Sequence, residues 1–239
     1  MFFSVRNTGF VFALLASILI APFADARAAD VSDTADAQAL VLKSDAVFRS
    51  FMADPNMSWF QNNVDRALGI FIVPQMLRGG FIIGGSGGSG VFLSRNPKTG
   101  TWSYPAFYTM GSVSIGFQIG ADASEIVMMV MTEKGLNAML STEFKLGADV
   151  AVAAGPVGAS AKAQTADVLA FGRSKGVFGG VSIEGAVIAP RSTWNNAYYG
   201  QPVDPVDILI RNSVSNPQAD QLRKAMLPRP VSRTKPLGT

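Results

Sequence analysis

Arg78-Gly79-Gly80-Phe81-Ile82-Ile83-Gly84-Gly85-Ser86-Gly87-Gly88-Ser89-Gly90 is the stretch whose reading decides the fold. Apolar residues run into it, and Val91-Phe92-Leu93 runs out of it. A linker has no use for so much glycine. Glycine serves where φ must be positive, or where another backbone or a ligand comes close. Two readings compete. Gly85, Gly87 and Gly90 fit G-x-G-x-x-G, a phosphate cradle, but that fingerprint needs a helix to open at the glycines. Val91-Phe92-Leu93 has the character of a strand. The stretch is therefore read as a tight strand–turn–strand in an antiparallel sheet. Gly84-Gly85-Ser86-Gly87-Gly88 also matches G-x-S-x-G, the nucleophile elbow. The chain has no histidine, so that match cannot belong to a Ser-His-Asp triad.

Outward from the glycines, strands dominate. Ile70 to Val73 is short and apolar and is expected to stop at Pro74. Asn96-Pro97-Lys98-Thr99-Gly100 is a turn by composition. Thr101 to Thr109 follows, with Pro105 marking an edge or bulge. Val113 to Gly120 alternates strictly, with Val113, Ile115, Phe117 and Ile119 expected on one buried face and the other face polar, as antiparallel sheets allow. Ile126 to Met131 is continuously apolar, as a central strand would be. Thr132 is placed to cap a short helix through Leu140. Glu143 to Ala154 alternates again as a strand. Ala163 to Phe171 is short and mixed, and Gly176 to Ile188 reads as a strand pair or one bent strand.

Two helices precede the sheet. Leu40, Ser44, Val47, Phe48 and Phe51 form one stripe at helical spacing within Val31 to Met52. The opposite face mixes charges, so the helix is expected to pack on the domain and not lie on a membrane. Asp54 and Pro55 start a second helix as N-cap and first helical residue, ending near Gly69.

Of the 239 residues, 48% are apolar and 15% charged, enough for one domain with a substantial core. Residues 1–28 read as a secretory signal peptide: Arg6, the apolar run Gly9 to Ala21, then small–x–small sites at Ala24 to Ala28. An exported protein of the periplasm or cell envelope is expected. Cysteine is absent as well as histidine, which excludes disulfides and Cys/His zinc sites. Residues 29–210 form the expected domain. Residues 211–239 hold six basic residues against one aspartate, +5, while the rest sums to −2. That basic, proline-rich tail is expected to be disordered. The high isoelectric point is thus a property of the tail, and no nucleic-acid face is expected.

Five segments in order resemble the SYLF family, also called the Ysc84 actin-binding or DUF500 family. They are Arg78-Gly79-Gly80-Phe81 with Gly84-Gly85 and Gly88-Ser89-Gly90-Val91; Trp102-Ser103-Tyr104-Pro105-Ala106-Phe107; Gly116-Phe117-Gln118-Ile119-Gly120; Phe144-Lys145-Leu146-Gly147-Ala148-Asp149 with Gly155-Pro156-Val157-Gly158; and Arg173-Ser174-Lys175-Gly176-Val177-Phe178 with Gly185. The resemblance runs from about Val64 to Ile188 and implies a non-enzymatic domain without a cofactor. Eukaryotic members bind phosphoinositide membranes, and some bind actin filaments. An exported member would meet neither, so what carries over is lipid binding as a type of activity.

The expected fold is α+β: a glycine-rich antiparallel sheet or partial barrel, packed by two N-terminal helices and one short internal helix. The expected partner is an anionic membrane lipid, bound peripherally. The alternative is a structural or interaction module with an envelope protein partner. Candidate lipid contacts are Arg78, Arg173 and Lys175 on the body, and Arg223, Lys224, Arg229, Arg233 and Lys235 in the tail. An exposed apolar patch on the sheet is the other candidate for a second membrane signal.

Overall fold

Ile70–Val73, Val91–Leu93 and Ile126–Val130 are apolar at every consecutive position. A strand needs that only when both of its faces are buried. In the computed structural model, which describes residues 21–80, 83–115, 120–156, 166–174, 177–179 and 183–227, these runs lie within three long neighbouring strands. They are β1 (Gly69–Gly80), β2 (Ile83–Ser94) and β4 (Gly120–Val130). The other strands are β3 (Ala106–Ile115), β5 (Phe144–Lys145), β6 (Val152–Ala154), β7 (Val168–Ser174), β8 (Val177–Gly179) and β9 (Val187–Pro190). The order is β5-β9-β3-β2-β1-β4-β7-β6, with β8 also on β7. All pairings are antiparallel except β6 with β7, which is parallel. The α+β class holds, and the sheet is mixed.

Each face of the sheet carries its own core. Ile70, Ile72, Val91, Leu93, Phe107, Val127, Met129 and Phe171 point to one side. There they meet α1 (Ala21–Ala53), α2 (Ser58–Asn63), α4 (Ser192–Tyr199) and α5 (Asp220–Ala225). The stripe Leu40, Ser44, Val47, Phe48 and Phe51 is buried against this face, as the helical period requires. Phe71, Val73, Phe92, Tyr108, Met110, Ile126 and Met128 point to the other side. They meet α3 (Glu133–Met139) and the π-helical turn Asp207–Arg211. A sheet with one apolar face was expected, and the central part has two.

Local signals at the helix starts behave as their chemistry dictates. Asp54 accepts from the Asn56 amide at 2.8 Å and caps the 3-10 turn Pro55–Met57 that precedes α2. Thr132 accepts from the Gly135 amide at 3.1 Å at the start of α3.

Several expectations are corrected. β1 does not stop at Pro74. It carries one extra residue there, because Ile72 pairs with Val91 and Leu77 with Gly87, five steps against four. A bulge tolerates a proline, which has no amide to give to the ladder. Gly88 lies under this bulge: a Cβ on it would come within 2.5 Å of the Gln75 carbonyl oxygen. Gly90 is equally tight, 2.6 Å from the Ile72 carbonyl oxygen. The glycines from Gly84 on therefore lie along strand β2 and are not a turn; Phe81 and Ile82 lie outside the described residues. Close approach, and not positive φ, explains Gly88 and Gly90.

Val113 faces solvent, 80% exposed, and residues 116–119 lie outside the described residues. Glu143 to Ala154 is two short strands and not one: the Lys145 amide donates to Asp149 at 2.7 Å, Gly147 takes φ 83°, and a turn intervenes. Pro105 precedes β3, and the strand begins only at Ala106.

The largest correction is at the C-terminus. Residues 211–227 are packed, with Val214, Ala219, Leu222 and Met226 buried. Composition pointed to disorder, yet Ala219, Leu222 and Met226 dock α5 on α1 and the Trp102 loop, and Val214 joins the core on the other face of the sheet. The backbone of α1 begins at Ala21, inside the stretch read as a signal peptide, and residues 1–20 lie outside the described residues.

Candidate functional site

Past the bulge, β4, β1, β2 and β3 continue with two unlike faces, and β9 still pairs with β3 at Gly111. On the α1 side, Ala123, Leu77, Gly87 and Gly111 stand in one cross-strand row. Gly79, Gly85 and Val113 stand in the next row. None of the seven is polar in its side chain. Leu77 is 54% exposed and Val113 80%, on a floor of glycine and alanine. On the opposite side, Asp122, Arg78, Ser86 and Ser112 share a row. The Ser86 and Ser112 hydroxyls are 2.8 Å apart, and Ser174 donates to Asp122 at 2.8 Å. Ser86 is thus a strand residue in a polar row and not the apex of a nucleophile elbow.

The expected cations among the described residues do not converge. Arg78 belongs to the polar row, directly across from Asp122. Arg173 lies on the other face, beside α1. Its guanidinium donates to Glu125 at 2.8 Å through Nε and to the Ser50 hydroxyl at 2.7 Å, and it lies over the Phe51 ring. Arg223 donates twice to the Trp102 carbonyl, at 3.1 and 3.0 Å, and stacks 3.9 Å from the Tyr104 ring centroid. Both arginines hold the fold together. Lys224 is exposed on α5. Lys175, Arg229, Arg233 and Lys235 lie outside the described residues.

Two concavities flank these features. A groove of about 490 Å³ opens where α1 leaves the sheet, lined by Lys43, Val47, Pro74, Ala123, Glu125 and Arg173. It runs into the apolar rows through Ala123. Arg191 borders the same face, donating to the Ser89 hydroxyl at 2.9 Å and stacked on Trp194. A second cleft, about 660 Å³, lies at the other end of the strands. One wall is the segment Ser94 to Tyr104, and the other is Leu209 to Ser215. Arg95, Lys98 and Arg223 line it. Burial first, and then the hydrogen bond to Asp220, push the Tyr104 hydroxyl up, against the pull of Arg223. It stays a neutral donor.

Sequence reasoning missed both the Leu77–Val113 rows and the cleft. The rows depend on the bulge, which reverses the outward side of β1. The cleft needs a wall that comes from more than 100 residues later in the chain. Among the described residues, no helix is long and apolar enough to cross a membrane, and no three His, Cys, Asp or Glu side chains gather to hold a metal ion.

Comparison with known proteins fits this architecture. A family profile described as "Las17-binding protein actin regulator", Ysc84, matches residues 111–227. Protein YSC84 of Saccharomyces cerevisiae is 33% identical over 209 residues, covering 81% of this chain and 44% of that protein. LAS seventeen-binding protein 3 of the same yeast is 34% identical over 171 residues, 67% of this chain and 36% of its own length. Human SH3 domain-containing YSC84-like protein 1 is 30% identical over 165 residues, 66% of this chain and 48% of its own. The chain spans less than half the length of these relatives. The match reaches Leu227, the last described residue, so α5 is part of the shared domain. The chain therefore belongs to the Ysc84 (SYLF) family.

Proposed function

We propose that this chain is a non-enzymatic binding domain that attaches peripherally to an anionic membrane surface, with the projecting end of the sheet as its contact. One observation carries the reading: Leu77 and Val113 stand exposed on a flat floor without charge, with the cations Lys43 and Arg191 at its border. Glu125, in the adjoining groove, is neutralised by Arg173. If residues 1–28 direct export, the surface is an envelope membrane.

Magnitudes fit reversible attachment. Burying a Val or Leu side chain is worth about 1.5–3 kcal/mol when fully exposed before. A basic residue at an anionic surface adds about 1 kcal/mol. The total is on the order of 5 kcal/mol, a dissociation constant of roughly 0.1–0.2 mM. Attachment of that strength is salt-sensitive.

The test is sedimentation of the full chain with phosphatidylglycerol vesicles, with phosphatidylcholine as control. Leu77→Asp with Val113→Asp should abolish pelleting while leaving the melting temperature unchanged, since both positions are exposed. Lys43→Glu should weaken it. A full-length protein that ignores phosphatidylglycerol at low salt overturns the reading and leaves the face to a protein partner.

A further inference from the structure

We infer that the cleft between Arg95–Tyr104 and Leu209–Ser215 binds a phosphate monoester. The inference is separate from the membrane reading, because the cleft and the Leu77–Val113 rows lie at opposite ends of the central strands. Eight residues of β1 separate Gly69 from Leu77, roughly 26 Å of strand. A domain resting on its projecting end would keep the cleft turned to solvent, which favours a soluble ligand.

Charge decides the ligand class. Arg95, Lys98 and Arg223 line the cleft, and no carboxylate is among its described lining residues. Asp220 compensates Arg223 from behind at 3.2 Å. Arg95 and Lys98 remain, a surplus of two positive charges. A phosphate monoester carries close to two negative charges at neutral pH. A carboxylate would leave half of the surplus unanswered.

Arg95 carries an unused donor. Its Nε is buried and has no hydrogen-bond partner among the described residues. Buried donors are rarely left so, because the lost hydration is costly. Gly100, at φ 72°, lets the turn fold against the guanidinium: a Cβ there would stand 3.2 Å from a terminal Arg95 nitrogen. Asn96 fixes that turn by accepting from the Lys98 and Thr99 amides at 2.9 and 3.3 Å. The turn therefore places Lys98 over the same opening. Across the cleft, Ile210 and Val214 offer apolar contact for the organic part of an ester.

Phenyl phosphate is the probe, titrated calorimetrically into the full-length protein. Saturable binding is expected, weakening as pH falls below the second phosphate pKa of about 6. Lys98→Glu, at an exposed position, and Arg95→Gln should each cost about tenfold or more in affinity, as charge-assisted hydrogen bonds do. A second arm uses phosphatidic acid vesicles and protein carrying Leu77→Asp and Val113→Asp, which removes the proposed membrane contact. Lys98-dependent pelleting there without a response to phenyl phosphate assigns the monoester to a lipid headgroup. No binding in either arm, or binding unchanged by both Lys98→Glu and Arg95→Gln, overturns the inference. Neither result bears on phosphatidylglycerol binding by the projecting end.

Discussion

The Trp102 indole donates to the Met226 carbonyl at 2.9 Å, across 124 residues of sequence. This bond and the burial of Leu222 and Met226 make the C-terminal helix a structural element. Ending the chain at Asn212 should therefore destabilise the domain by about 5 kcal/mol or more, counting some 1.5–3 kcal/mol for each buried apolar side chain lost. Ending it at Leu227, which keeps this packing, should leave a higher urea midpoint than ending it at Asn212. Equal midpoints for the two truncations would contradict the packing described.

Gly90 and Gly87 lie three residues apart in one strand and should respond unequally to alanine. At Gly90 the new methyl group meets the Ile72 carbonyl and the Phe71 ring, both within 2.6 Å, and overpacking should cost about 1–3 kcal/mol. At Gly87 the nearest atom is 3.9 Å away, and the change should stay within about 0.5 kcal/mol. Thermal unfolding of the two variants makes the comparison.

Tyr108, Tyr198 and Tyr199 govern the alkaline limb. Burial pushes all three hydroxyls well above their ordinary value. Tyr198 donates to Gln218 and Tyr199 to the Pro105 carbonyl, each at 2.7 Å. With the folded values raised, the unfolded chain loses these protons first. Their contribution is intact below about pH 10, the unfolded value, and stability falls as pH rises above it. Tyr198→Phe should make the decline of the urea midpoint above pH 10 less steep. An unchanged slope would mean that Tyr198 ionises freely in the folded protein.

Asp167 sets part of the acid limb. Its carboxylate accepts from the Thr132 hydroxyl at 2.6 Å and the Ala151 amide at 2.9 Å, and these hold its pKa below the ordinary value, the hydroxyl most. A depressed carboxylate contributes fully above the unfolded pKa of about 3.9 and loses that contribution as pH falls through its lower folded value. Asp167→Ala should cost about 1–3 kcal/mol at neutral pH and flatten the stability profile below about pH 4. Equilibrium unfolding from pH 7 downward reads both effects.

What was legible in the sequence was what neighbouring residues decide. The stripe from Leu40 to Phe51 and the caps at Asp54 and Thr132 depend on a few positions each, and they stand where local chemistry puts them. Val113 was misread because alternation states which residues share a face and not whether anything covers it. Arg173 looked like a free surface cation because its partner Glu125 lies 48 residues away. Helix α5 was hidden because tail composition is dominated by proline and charge, while docking depends on a few apolar residues set against Trp102.

The bulge at Pro74 and Gln75 works as a change of parity. Before it, even-numbered residues of β1 face the α1 layer; after it, odd-numbered ones do. The two-sided character of the projecting end, Leu77 outward on one side and Arg78 on the other, hangs on the extra residue being held as a bulge. Deleting Gln75 would leave Leu77 four steps from Ile72, as Gly87 is from Val91, and both surfaces would keep their identities. Straightening the strand with Gln75 kept would instead carry Arg78 to the apolar side and turn Leu77 toward the serines, an exchange of two surfaces with no change of sequence.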